Sequence, residues 1–116
     1  IPCLAYPAGE MKHGPIALLE EGSPVIFVVP NDHVKEKSRS AIHECRARGA
    51  KIILIHEAGD DISGEGDINI AIPQVNNYLS PMLSVIPLQL IAYHTAIALG
   101  CDVDRPRNLA KSVTVE

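Results

Sequence analysis

The chain has no tryptophan, one phenylalanine and three tyrosines among its 116 residues. Proteins that hold single strands stack bases on aromatic rings and neutralise phosphates with a basic excess. Here ten lysines and arginines stand against fourteen carboxylates, a formal charge of −4, so nucleic acid is not an expected partner. Cysteine is also scarce. Cys3, Cys45 and Cys101 are odd in number, far apart and outside any C-x-x-C pattern, which excludes a disulfide framework and a zinc site and points to a reducing cytoplasm. The histidines form no H-x-x-x-H pair, so no metal is expected. The G-x-G-x-x-G, Walker and G-x-S-x-G patterns are absent too, and dinucleotide, nucleotide triphosphate and hydrolase readings lose their main support. No unbroken apolar stretch has the length of a membrane span, and no signal peptide is evident, so a membrane is not an expected partner. The first residue is Ile1 rather than methionine, which reads as a piece of something longer.

What is present suits one compact α/β domain at most. Pro24-Val25-Ile26-Phe27-Val28-Val29-Pro30 is a β-branched run fenced by prolines, the pattern of a central strand in a parallel sheet. Asn31 or Asp32 can cap a following helix, in which Val34, Ser38, Ala41, Ile42 and Cys45 recur at helical spacing and Gly49 supplies the stop. Lys51 to Ile55 repeats the buried-strand pattern and completes a βαβ unit. After a Gly- and Asp-rich loop, Ile68, Ile70 and Ile72 alternate as on an edge strand. Ser80-Pro81 opens a long apolar helix that Pro87 is expected to kink and Gly100 to end; with so little polar face it is either buried or packed on another subunit. Three strands and two main helices, plus a C-terminal tail, make a partial doubly wound parallel sandwich. The expected division is residues 1–100 for the domain and 101–116 for the tail.

Two places could carry chemistry. In "AGEMKHGP", residues 8 to 15, Glu10, Lys12 and His13 sit between glycines; His13 can exchange protons near neutrality, although Gly9, Gly14 and Pro15 can equally be shaping a simple turn. His33 and His43 read as solvated helix residues, His56 follows a strand end, and His94 lies on the apolar helix as a core or interface histidine. In the tail, Lys111 stands between the small residues Ala110 and Ser112. A terminal lysine is ordinarily a solvated charge, but one that the tail buries loses hydration, and its neutral amine can attack a ketone to give an imine.

Taken together, "AGEMKHGP", "PVIFVVPN", "SPMLSVIPLQLIAYH" and "DVDRPRNLAKSVTVE" resemble the glutamine:fructose-6-phosphate amidotransferase family, over the whole chain and within its second sugar isomerase (SIS) domain. The resemblance implies that Lys111 forms an imine with the open-chain ketone of fructose 6-phosphate, that the Ala110 backbone contacts the sugar, and that His13 opens the sugar ring from the adjacent subunit of a homodimer. It implies ammonia delivered by a glutaminase domain, glucosamine 6-phosphate as product, and no cofactor or metal. The family's proton-shuttling glutamate, its phosphate loops and its glutaminase domain match nothing in these residues, and Glu10 is not that glutamate. The 116-residue chain alone is therefore expected to be inactive. Two other readings stand beside this one: a non-catalytic phosphosugar-binding SIS module, which would have no need of the tail lysine, and a structural dimerisation piece built on the apolar helix.

Overall fold

A computed structural model describes residues 1–105. The tail residues Ala110 and Lys111 lie outside the described residues. The chain divides into two compact units, one over Ile1–Ser84 and one from Val85 onward.

The first unit is built on a three-stranded parallel sheet in the order β1 (Pro24–Val29), β2 (Lys51–Glu57) and β3 (Ile68–Ile72). Helix α1 (Lys35–Arg46) is the crossover between β1 and β2. Parallel register places Val25 beside Ile52, Phe27 beside Leu54 and Val29 beside His56 on one sheet face. Ala41, Ile42 and Cys45 of α1 join Phe27, Val29, Ile52 and Leu54 in the buried core. Burying each large aliphatic side chain contributes about 1.5–3 kcal/mol before entropy is charged against it, so this layer holds the unit together. Burial also raises the Cys45 thiol above its ordinary pKa, leaving it an inert packing group. On the opposite face Ile55 is buried, whereas Val28 is 40 % exposed and Ile68 57 % exposed.

The turns before β1 and β2 are tied together: the Gly22 N–H donates to the Gly49 carbonyl, and the Lys51 N–H to that of Ser23. Gly49 has φ +81°, a left-handed backbone state that favours glycine and stops α1.

The α/β sheet expected from the patterning is what forms, with several local differences. Among the described residues β1 pairs with β2 alone; its continuous apolar run fits a strand that lies under α1 on one face and is partly covered on the other. β2 runs two residues further than expected and takes in His56 and Glu57. Neither Asn31 nor Asp32 is the N-cap of α1: Asp32 Oδ1 accepts the Val34 N–H at 2.9 Å, an Asx turn one step upstream.

Helix α2 (Ser80–Ala98) continues through Pro87. Its entry is set by Asn76, whose Oδ1 accepts the Tyr78 N–H and whose carbonyl accepts the Leu79 and Ser80 N–H groups, while Ser80 is the first helical residue rather than a cap. It ends as expected at Gly100, φ +68°, where Cys101 N–H donates to Ala96 and Gly100 N–H to Ile97 in a Schellman motif. The helix is not buried: Met82, Val85, Ile86, Leu90, Tyr93 and Ile97 are all exposed. By length and composition it is apolar enough to cross a membrane, contrary to the reading from unbroken runs, because Ser84, Gln89 and His94 interrupt the run without making the helix polar.

Candidate functional site

The "AGEMKHGP" stretch is not a plain turn. Ala8–His13 forms a 3₁₀ helix and Pro15–Leu18 a second one, with Gly14 between them at φ +147°, a backbone state that suits glycine. Ala8 and Met11 pack against the core, and Ile16, only 8 % exposed, belongs to it. Between these apolar anchors His13 is exposed, and its ring nitrogens make no hydrogen bond among the described residues. Lys12 pairs with Glu44 of α1 at 2.6 Å. The sequence thus builds a short arm with buried footings and an outward imidazole.

The carboxyl ends of the strands, where open α/β sheets usually hold ligands, lie elsewhere. They are marked by Lys35, at the first turn of α1, which reaches Asp60 just after β2 at 2.8 Å. Glu44 stands nine residues further along α1, about 13 Å at the helical rise. The arm is pinned there, near the other end of the helix.

At the strand end, His56 is buried and its Nδ1 donates to the Glu57 carbonyl at 2.8 Å. That satisfied histidine is a structural group. Glu57 is only 3 % exposed, and its Oε1 has no hydrogen-bond partner among the described residues; the same holds for Oδ2 of Asp60. No cluster of three or more metal-ligating side chains occurs among the described residues.

The missed feature is an ionic ladder. Lys35, Arg39, His43 and Arg46 form one stripe of α1, and they meet Asp60, Asp61 and Glu65 of the loop after β2. Lys35 is 2.8 Å from both Asp60 and Asp61; Arg39 is 2.9 Å from Glu65 and 3.1 Å from Asp61; His43 Nε2 is 2.8 Å from Glu65. Arg46 also donates to the Glu65 carbonyl. The pairing shifts both sides. The hydrogen bond from Lys35 is the chief cause that holds the Asp61 carboxyl at about 2, while His43 and then Arg39 hold Glu65 below the usual range. Lys35 is raised chiefly by Asp60, Arg39 chiefly by Glu65. Asp67 is lowered by the Ile52 N–H, which it accepts at 2.7 Å. His43 is exposed, as read from sequence, and in addition pairs with Glu65; the acidic spacing 60, 61, 65 opposite a basic i, i+4, i+8 stripe was the available signal for that pairing.

In the second unit, His94 is exposed and meets Tyr93 edge to face at 5.3 Å between centroids. A recess of about 650 Å³ lies between α2 and the following turn, lined by Tyr93, Ala96, Cys101, Asp102 and Arg105 among others. Asp102 Oδ1 is already engaged there by the Asp104 and Arg105 N–H groups.

Comparison with known proteins places this geometry in a lineage. The model of the SIS domain matches residues 1–99. The chain is 51 % identical over 97 % of its length to glutamine--fructose-6-phosphate aminotransferase [isomerizing] of Pseudomonas aeruginosa, covering 18 % of that protein. It is 55 % identical, again over 97 %, to the protein of the same name from Thermus thermophilus, covering 19 % of it. Among solved structures, the C-terminal domain of glucosamine-fructose-6-phosphate aminotransferase from Francisella tularensis superposes with a TM-score of 0.79 at 39 % identity, over 87 % of this chain and 29 % of that one. The chain spans about a fifth of the length of the curated relatives it matches. The resemblance noted in the sequence holds, and with it the fold: this chain belongs to the SIS domain family.

Proposed function

We propose that the chain is part of the isomerase half of an enzyme that converts fructose 6-phosphate and glutamine to glucosamine 6-phosphate and glutamate. The observation that carries this reading is identity of 50 % or more, over nearly the whole chain, to several proteins named for that aminotransferase. Residues 1–100 contribute part of the SIS domain and 101–116 an active-site tail. Lys111 is the imine-forming residue: its neutral amine adds to the C2 ketone of the open-chain sugar, water leaves, and ammonia then displaces the lysine. A proton moved between C1 and C2 completes the isomerisation. The Ala110 backbone contacts the sugar. His13 opens the ring by moving protons between the ring oxygen and the anomeric hydroxyl. The exposed imidazole of the Ala8–His13 arm, without a hydrogen bond among the described residues, favours service to a neighbouring protomer of a homodimer. A glutaminase domain of the parent protein, which supplies ammonia, and a cytoplasmic setting belong to the same reading. No cofactor is required.

Borohydride reduction of the full-length protein with fructose 6-phosphate tests the lysine. One sugar phosphate is expected on Lys111, and equal labelling of Lys111→Arg removes the assignment. The exposed apolar side of α2 favours a second reading, a dimerisation piece without a sugar role. Absence of fructose 6-phosphate binding by the full-length protein in a calorimetric titration would favour it instead.

A further inference from the structure

We propose that Glu44 is a positioning residue for His13, acting through Lys12; this rests on the ring-opening reading of His13. The Ala8–His13 helix is a 3₁₀ helix, a form with poorer hydrogen bonds than an α-helix, and none of its residues is fully buried. It ends at Gly14, which allows the backbone to swing. Ala8 and Met11 give it an apolar footing, but apolar contact is non-directional and does not set rotation about the helix axis. Among the described residues the Lys12–Glu44 pair, at 2.6 Å, is the single side-chain polar link from this helix to the rest of the fold. Glu44 is a firm post. Its side chain is 28 % exposed, it stands in a regular helix beside buried Cys45, and its carbonyl accepts from Arg48. Successive residues of a 3₁₀ helix differ by about 120°. With Lys12 tied to α1, His13 is turned to a different side and held there, which is the directional element that the apolar footing lacks.

The test uses the full-length protein carrying this chain, with glucosamine 6-phosphate formation and thermal unfolding as readouts. Glu44→Gln and Lys12→Met are each expected to lower kcat about threefold to fivefold, the range of an exposed ion pair, with KM and unfolding unchanged. Added to His13→Ala, Glu44→Gln should cause no further loss, because the group it positions is gone. Exchanging the charges, Lys12→Glu with Glu44→Lys, should restore most of the rate. A wild-type kcat in Glu44→Gln, or a further loss on the His13→Ala background, overturns the proposal while leaving the ring-opening role intact. An unchanged rate in His13→Ala overturns the ring-opening role itself and this proposal with it.

Discussion

Glu57 offers a test in which removing a polar group should strengthen the protein. It is the last residue of β2, 3 % exposed, and Oε1 makes no hydrogen bond among the described residues. Parallel register sets it beside Ile72, on the same face as Ile53 and Ile55. A buried polar atom without a partner costs about 1–3 kcal/mol relative to its hydrated state. Methionine has a similar length, carries no obligatory donor or acceptor, and tolerates irregular space. Glu57→Met should therefore stabilise the first unit by about 1–3 kcal/mol, since the penalty disappears while the apolar contacts of the stem persist. For a chain of this size that corresponds to about 4 °C in Tm for each kcal/mol.

The assay is equilibrium urea unfolding of wild type and Glu57→Met, with the slope m compared before midpoints are converted to free energy. Glu57→Gln is the control. It retains the shape but adds two N–H donors at the same place, so it should not reproduce the gain. If Glu57→Met lowers stability by 1 kcal/mol or more at unchanged m, the carboxyl has a donor, and the reasoning from its unpaired oxygen is refuted.

Two further outcomes follow from the packing and the ionic ladder. Ile42 is 0 % exposed at the centre of the α1–sheet layer, so Ile42→Ala should cost about 2–5 kcal/mol in the same urea assay; a loss below 1 kcal/mol would show that the layer collapses around the gap. Asp61 sits at about 2 in the fold against an ordinary 3.8. A lowered folded value means that its contribution is complete above about pH 4 and fades as pH falls toward 2, so a urea midpoint series should show a flatter acid limb in Asp61→Asn. An unchanged limb would mean that Lys35 does not hold this carboxylate in solution.

Much of the fold was legible because local pattern and tertiary role agree. The proline-fenced run 24–30, the helical recurrence of Ala41, Ile42 and Cys45, and the Gly49 and Gly100 stops each reflect a constraint felt by neighbouring residues. What stayed hidden depends on partners distant in sequence. The extension of β2 through His56 and Glu57 depends on its pairing with β3, which the local pattern of Lys51 to Ile55 does not encode. The ladder joins residues 19 to 26 positions apart, so a basic α1 stripe reads in isolation as a solvated face. Asn76 displaced Ser80 as the organiser of α2 because two capping residues lay close together and only the backbone path chooses between them. At the candidate site the glycines marked the His13 segment, but Ala8 and Met11 were too few to announce a helix.

The carboxyl ends of the strands and the Ala8–His13 segment differ in how far their polar groups are engaged within the described residues. An open parallel sheet ordinarily offers its carboxyl ends to ligands. Here part of that edge is occupied by the protein itself: His56 donates to the neighbouring carbonyl, and Asp60 Oδ1 accepts from Lys35 and from the Ile62 N–H. A ligand would have to break the bonds of His56 and of Asp60 Oδ1 before making its own there, although Glu57 Oε1 and Asp60 Oδ2 have no partner among the described residues. The Ala8–His13 arm has the opposite character, with Ala8 and Met11 packed against the core and its exposed imidazole without a hydrogen-bond partner among the described residues. Polar groups that are already engaged by neighbours offer a ligand less than an exposed imidazole that makes no hydrogen bond among the described residues, which is why the His13 segment rather than His56 is the place to test first.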